Sequence, residues 1–185
     1  MIADLLESQT WLDAPTWRNT YATKVPASLS KVLLVTTSLT RFLEQHYALN
    51  LDVHVYEQAM GFAQAAEAAL LHIGPDERCL RRKVSLLHRN RVMFDAESIL
   101  PLDVLPVELM AELEAGQRPL ANLLSERGLC LSRSDLSISH IQDHDYYEQR
   151  WARRSVLRSE SGATALVTEV FHEALWSKLN YLSSR

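Results

Sequence analysis

Trp151-Ala152-Arg153-Arg154-Ser155-Val156-Leu157-Arg158 and Thr164-Ala165-Leu166-Val167-Thr168-Glu169-Val170-Phe171 read as two strands joined across Ser159-Glu160-Ser161-Gly162. So short a link makes the pair antiparallel, because parallel strands need a crossover of a dozen residues or more. Within the second strand Ala163, Ala165, Val167 and Phe171 point one way, and Glu169 points with them. A carboxylate is therefore aimed at the apolar side of a sheet.

A second hairpin lies upstream. Cys79 to Leu87 and Val92 to Leu100 have strand composition, and His88 to Arg91, containing Asn90, is short enough for a tight turn. Leu80, Val84 and Leu86 form the apolar face of its first strand, with Arg82 in the middle. An isolated buried charge is costly to desolvate. An inward Arg82 and an inward Glu169 thus imply either a mutual pair or a polar ligand between them. A small anion bearing a hydroxyl suits such a site, and an ion pair that only fixes strand register is the competing reading.

The rest of the chain adds strands and short helices. Leu51, Val53 and Val55 alternate with polar residues, as do Leu136 and Ile138 within Leu131 to Ile141, so both stretches read as half-buried strands. Met60 to Ile73 fits a helix by its alanines and an extended segment by its place between strands. Ser28 can cap a helix over Leu29 to Val35, Ser38 or Thr37 one through Leu39, Phe42 and Leu43, and Pro106 to Leu113 opens with proline and Glu108. Gly116 and Pro119 mark a loop before Leu120 to Leu124. The pattern predicts an α+β fold, a single antiparallel sheet of about six strands with helices packed over one side.

Composition narrows the function. With 185 residues, 47% of them hydrophobic, the chain suits one core and one domain. A net charge of -4 and a pI near 6.0 argue against a nucleic-acid partner. Asp4 and Glu7 are wrong for a secretory leader and no stretch approaches a membrane span, so a cytoplasmic protein without membrane insertion is expected. Cys79 and Cys130 are far apart and read as buried thiols. His140 and His144, with Asp143 and Asp145, are metal-ligating residue types, but their spacing suits a helix and they sit where a strand runs into a loop; no metal is expected. Arg81 and Lys83 fall on the other face of their strand from Arg82, which reads as solvated. Arg153 and Arg154 read as surface-paired, with a contact to an anionic substrate as the alternative. No Gly-rich phosphate loop, Gly-x-Ser-x-Gly elbow or Cys/His nucleophile pair is present, so covalent catalysis has no support.

The stretch Trp151 to Arg158, followed by Leu166-Val167-Thr168-Glu169-Val170-Phe171, resembles the C-terminal hairpin of the chorismate pyruvate-lyases. Leu80 to Leu86 and the strand ending at Pro101 are similar to the family's earlier hairpin, with Arg82 at its ligand-binding arginine. Gly116-Gln117-Arg118-Pro119-Leu120 resembles the family's Gly-Lys-Thr-Pro-Leu, and Ser38-Leu39-Thr40 its Ser-Met-Thr segment. The likeness runs from Ser28 to Phe171. Leu39 replaces a methionine, Lys83 stands where an acid often follows the arginine, and Asp143 to Gln149 lengthens a loop.

The resemblance implies an enzyme that eliminates pyruvate from chorismate to give 4-hydroxybenzoate, the first step of ubiquinone biosynthesis. Arg82 would hold the ring carboxylate and Glu169 would meet the 4-hydroxyl, while Leu39 and Leu120 would contribute main-chain or enclosing contacts. No metal or organic cofactor is implied, the partners are chorismate and its products, and a monomer is expected. The whole chain, 1–185, would be one chorismate lyase-like domain with an N-terminal arm over 1–27 and a tail over 177–185. The same fold also resembles effector-sensing domains of bacterial transcription regulators, so a non-catalytic domain binding an aromatic carboxylate is the alternative. A structural protein whose charges form only a core pair is a third reading.

Overall fold

Strands β3 (Arg78–His88) and β4 (Arg91–Pro101) turn through Arg89 and Asn90, both left-handed with φ of 50° and 62°. Two successive positive φ values give the tight hairpin a twist that matches its strands. In this computed structural model the described residues are 2–103, 105, 107–115, 123, 124, 126, 131–160 and 162–183. β3 and β4 belong to one antiparallel sheet with β1 (Leu12–Asp13), β2 (Asp52–Phe62), β5 (Leu131–His140), β6 (Trp151–Ser159) and β7 (Thr164–Phe171). The strand order is β1-β5-β6-β7-β4-β3-β2. The fold is α+β, and the two hairpins expected from the sequence meet at its centre, where β4 pairs with β7.

The helices are α1 (Leu5–Ser8), α2 (Ala14–Tyr21), α3 (Ala27–Leu34), α4 (Leu39–Tyr47), α5 (Ala65–Leu71), α6 (Val107–Ala115) and α7 (Glu173–Ser183). Trp17, Leu33, Leu43 and Leu175 from α2, α3, α4 and α7 pack with Val84, Leu86, Phe94, Ala96 and Phe171 of the sheet. Leu109 and Leu113 of α6 extend that layer over Leu80, Leu100 and Val167. This is the face toward which Arg82 and Glu169 point. Among the described residues no helix is long and apolar enough to cross a membrane.

Several details differ from the sequence expectation. A seventh strand is present because Leu12 and Asp13, within the stretch read as an arm, pair with Ile138 and Ser137. The second face is covered as well. Leu5 of α1 packs with Ala152 and Val170, and Leu71 of α5 packs with Ile99, Val156 and Leu166. Central strands sandwiched in this way are buried on both sides, so the alternation is blurred. Met60 to Ile73 is both things in turn, strand to Phe62 and then helix from Ala65. Ser28 is not a cap: α3 begins at Ala27 behind Pro26, and the Ser28 hydroxyl donates to Asn180. Ser38 does cap α4, accepting from the Arg41 amide at 3.4 Å. The segments 116–122 and 127–130, which contain the Gly116 to Leu120 motif and Cys130, lie outside the described residues.

Candidate active site

The register places the two inward charges on neighbouring rows of one face. Arg82 is in line with Ser98, Val167 and Ser155, and the next row carries Val84, Ala96, Glu169 and Arg153. Glu169 is thus two strands across and two residues along from Arg82, roughly 12 Å between Cα atoms on ordinary sheet spacings. Both are buried, with exposures of 2% and 4%. They line one cavity of about 60 Å³, together with Ser98, Arg133 and, from the start of α4, Ser38, Leu39 and Thr40. Three of the four site residues expected from the sequence, Leu39, Arg82 and Glu169, therefore converge; Leu120 lies outside the described residues.

Glu169 does not pair with Arg82. Its carboxylate accepts from Arg153 Nε through Oε2 and meets Arg133 Nη2 through Oε1 at 3.5 Å. Burial by itself pushes the Glu169 carboxyl up, but attraction to Arg153 and Arg133, with hydrogen bonds from both, outweighs it and holds the group below its ordinary range. Glu169 is an anion at neutral pH, ready to accept a hydrogen bond or a proton. Arg82 also sits where desolvation disfavours charge, which lowers its pKa without neutralising it.

Arg153 is not a surface residue. It is fully buried, and Nη1 donates to the carbonyls of Val32 at 3.0 Å and Val35 at 2.9 Å, fastening the end of α3 to the sheet behind Glu169. Arg154 points to the other face and packs its guanidinium over Trp11. Counting back from the last turn pairs Arg153 with Glu169, because Arg158 opposes Thr164 and the register is regular thereafter. That signal was available in the sequence.

Arg133 was not legible in this way. It lies five residues before Ile138, so on a regular strand the two would face opposite ways. The register shifts between Ser134 and Ser137, and Asp135 there is left-handed at φ 53°. The extra residue of this bulge puts both Arg133 and Ile138 on the site face.

The opposite face is not the solvated surface expected for Arg81 and Lys83. Arg81 pairs with Glu67 of α5 and with Glu97, and buried Lys83 donates to Glu57 at 2.8 Å. Asp95 accepts from Ser85 at 2.6 Å and Tyr147 at 3.1 Å and lies 2.7 Å from His172 Nε2. Burial alone raises the Asp95 carboxyl, but its bonds with His172 and Ser85 bring it below the ordinary value. Arg81, Lys83 and Asp95 thus each have a protein partner, which is how polar groups persist under a covering layer. His140 and His144 turn to separate partners, the first meeting the Gln149 carbonyl and Gln142, the second accepting from the amides of Tyr146 and Tyr147.

The cavity thus carries a buried cation, Arg82, and a buried anion, Glu169, in its lining. The sequence matches the Chorismate lyase family over residues 10–181, and the chain belongs to that family of carbon–oxygen lyases. A chorismate pyruvate-lyase from Serratia proteamaculans (strain 568) is 30% identical over 158 residues, 84% of each chain. Among solved structures, the effector domain of PhnF from Mycobacterium smegmatis superposes with a TM-score of 0.64 at 14% identity, over 76% of this chain and 91% of that one. A possible transcriptional regulator, YydK from Bacillus subtilis, gives 0.54 at 16% identity over 71% and 61%. These likenesses are of fold alone.

Proposed function

We propose that this cavity converts chorismate into 4-hydroxybenzoate and pyruvate, at the first step of ubiquinone biosynthesis. The observation that carries the reading is that Arg82 and an anionic Glu169, which do not pair with each other, line one cavity. Arg82 takes the ring carboxylate in a two-point contact, which is strong where water is excluded. Glu169 takes the 4-hydroxyl at the para end, and the main chain near Leu39 encloses the ring. The ring carbon–oxygen bond breaks and its electron pair leaves with the enolpyruvyl oxygen. The ring carbon bearing the hydroxyl loses its hydrogen as a proton, and those electrons complete the aromatic sextet. The proton ends on the methylene carbon of the departing group, giving the methyl of pyruvate. Aromatisation supplies much of the driving force, so the protein orients and polarises. Being ionised, Glu169 serves as acceptor or base rather than as the resting acid.

In this reading the chain works in the cytoplasm as a single-domain monomer without metal or organic cofactor. Its partners are small molecules, not nucleic acid or membrane. Purified protein incubated with chorismate should release pyruvate and 4-hydroxybenzoate in equal amounts, and absence of both would end the proposal. The alternative is a domain of the same fold that binds an aromatic carboxylate without turnover. It would bind 4-hydroxybenzoate yet leave chorismate intact.

A further inference from the structure

Chorismate carries two carboxylates, and Arg82 accounts for one. The lining of the cavity contains a second guanidinium, Arg133, beside the Glu169 carboxylate. We infer that Arg133 binds the carboxylate of the enolpyruvyl side chain and steadies the negative charge that develops on the departing enolpyruvate. The inference rests on the chorismate reading above.

The two arginines around Glu169 are used differently. Arg153 holds the scaffold: it is fully buried and outside the cavity lining, with Nε on Glu169 and Nη1 shared by two main-chain carbonyls, while its Nη2 is buried without a hydrogen-bond partner. Arg133 lines the cavity itself, its side chain 5% exposed, and reaches Glu169 only at 3.5 Å. Its other donors rest on the Ser155 hydroxyl and, at 3.3 Å, on the Thr37 carbonyl. These are neutral acceptors. A carboxylate arriving beside them gains a charge-assisted bond that neither can match. The charge balance agrees, because Arg133 and Arg153 bring two positive charges to the one negative charge of Glu169. One further anion in the cavity neutralises the cluster.

Position supports the same assignment. The enolpyruvyl ether is carried by the ring carbon next to the one that bears the 4-hydroxyl. With the hydroxyl on Glu169, the side chain leaves the ring close to that carboxylate, where Arg133 lies. A guanidinium there meets the carboxylate before the bond breaks and the enolate oxygen as it breaks, and only the second interaction grows along the reaction.

The ligands divide cleanly for a test. Chorismate and pyruvate carry the side-chain carboxylate, whereas 4-hydroxybenzoate does not. In Arg133→Met the kcat/KM for chorismate should fall by about a hundredfold or more, as for loss of a buried charge partner. The affinity for 4-hydroxybenzoate, measured by calorimetry, should change by less than about threefold, since Arg153 still holds Glu169. Arg133→Lys, which keeps the charge, guards against a variant that fails to fold, and should raise the chorismate KM by about tenfold because it lacks the planar fork. The inference is overturned if 4-hydroxybenzoate affinity falls in step with chorismate activity, since Arg133 would then only hold Glu169. A wild-type KM in a folded Arg133→Lys would overturn it too. If the wild-type protein binds 4-hydroxybenzoate but leaves chorismate intact, the lyase reading itself fails and takes this role with it.

Discussion

Glu169→Gln keeps the shape of the side chain and removes one charge from a cluster of three. Glu169 neutralises Arg153, which is fully buried, and Arg133, which is nearly so. Taking away the anion of a buried ion pair costs about 3–5 kcal/mol, most of it from the stranded cation. For a chain of this size each kcal/mol shifts the thermal midpoint by roughly 2–4 °C, so the variant should melt roughly 6–20 °C below wild type. Chemistry should suffer separately. If the carboxylate takes the ring proton, turnover falls by roughly two to four orders of magnitude, because an amide cannot accept it. If it only orients the hydroxyl, the amide still hydrogen-bonds and the loss is far smaller. Differential scanning calorimetry and a coupled pyruvate assay on the same preparation, at a temperature below both midpoints, separate the two effects. An unchanged midpoint would refute the role of Glu169 in neutralising the arginines, and wild-type turnover would refute its role in the reaction.

Arg82→Ala should weaken chorismate and 4-hydroxybenzoate binding by about 2–5 kcal/mol, with partial rescue by lysine, as measured by calorimetry. 4-Hydroxybenzoate should raise the thermal midpoint more than benzoate at equal concentration, since only the hydroxylated ligand meets Glu169; equal shifts would remove Glu169 from the binding site. The acid limb of stability should carry the signature of lowered carboxylates. Glu169 has a folded pKa below its ordinary 4.5, so its contribution is complete above that pH and is lost as pH falls through the lowered value. The wild-type midpoint should therefore drop more steeply below that pH than that of Glu169→Gln. On the opposite face Asp95→Asn should cost about 2–3 kcal/mol of stability, from the loss of charged hydrogen bonds, while the KM for chorismate stays at the wild-type value.

The hairpins were readable because tight turns and period-two patterns are local properties. The inward placement of Arg82 and Glu169 followed from the same periodicity, and the register of the last hairpin also contained the partnership of Arg153 with Glu169. What could not be read depends on structure beyond the local pattern. The bulge at Asp135 reverses the side on which Arg133 falls, and the serines around it give no warning of an extra residue. The second buried face was hidden for a different reason. Arg81, Lys83, Glu97 and Asp95 look like a solvated side until α5 and the N-terminal residues supply a cover, and only their mutual partners make that burial tolerable. A charge on a strand reports its direction, but its environment is set by segments distant in sequence.

A crystal structure with 4-hydroxybenzoate bound would show whether one cavity holds the ring between Arg82 and Glu169. The carboxylate should lie on the Arg82 guanidinium through two hydrogen bonds, with the phenol oxygen within hydrogen-bond reach of Glu169. A ligand seated the other way round, or bound outside the cavity lined by Leu39, Arg82 and Glu169, would contradict it.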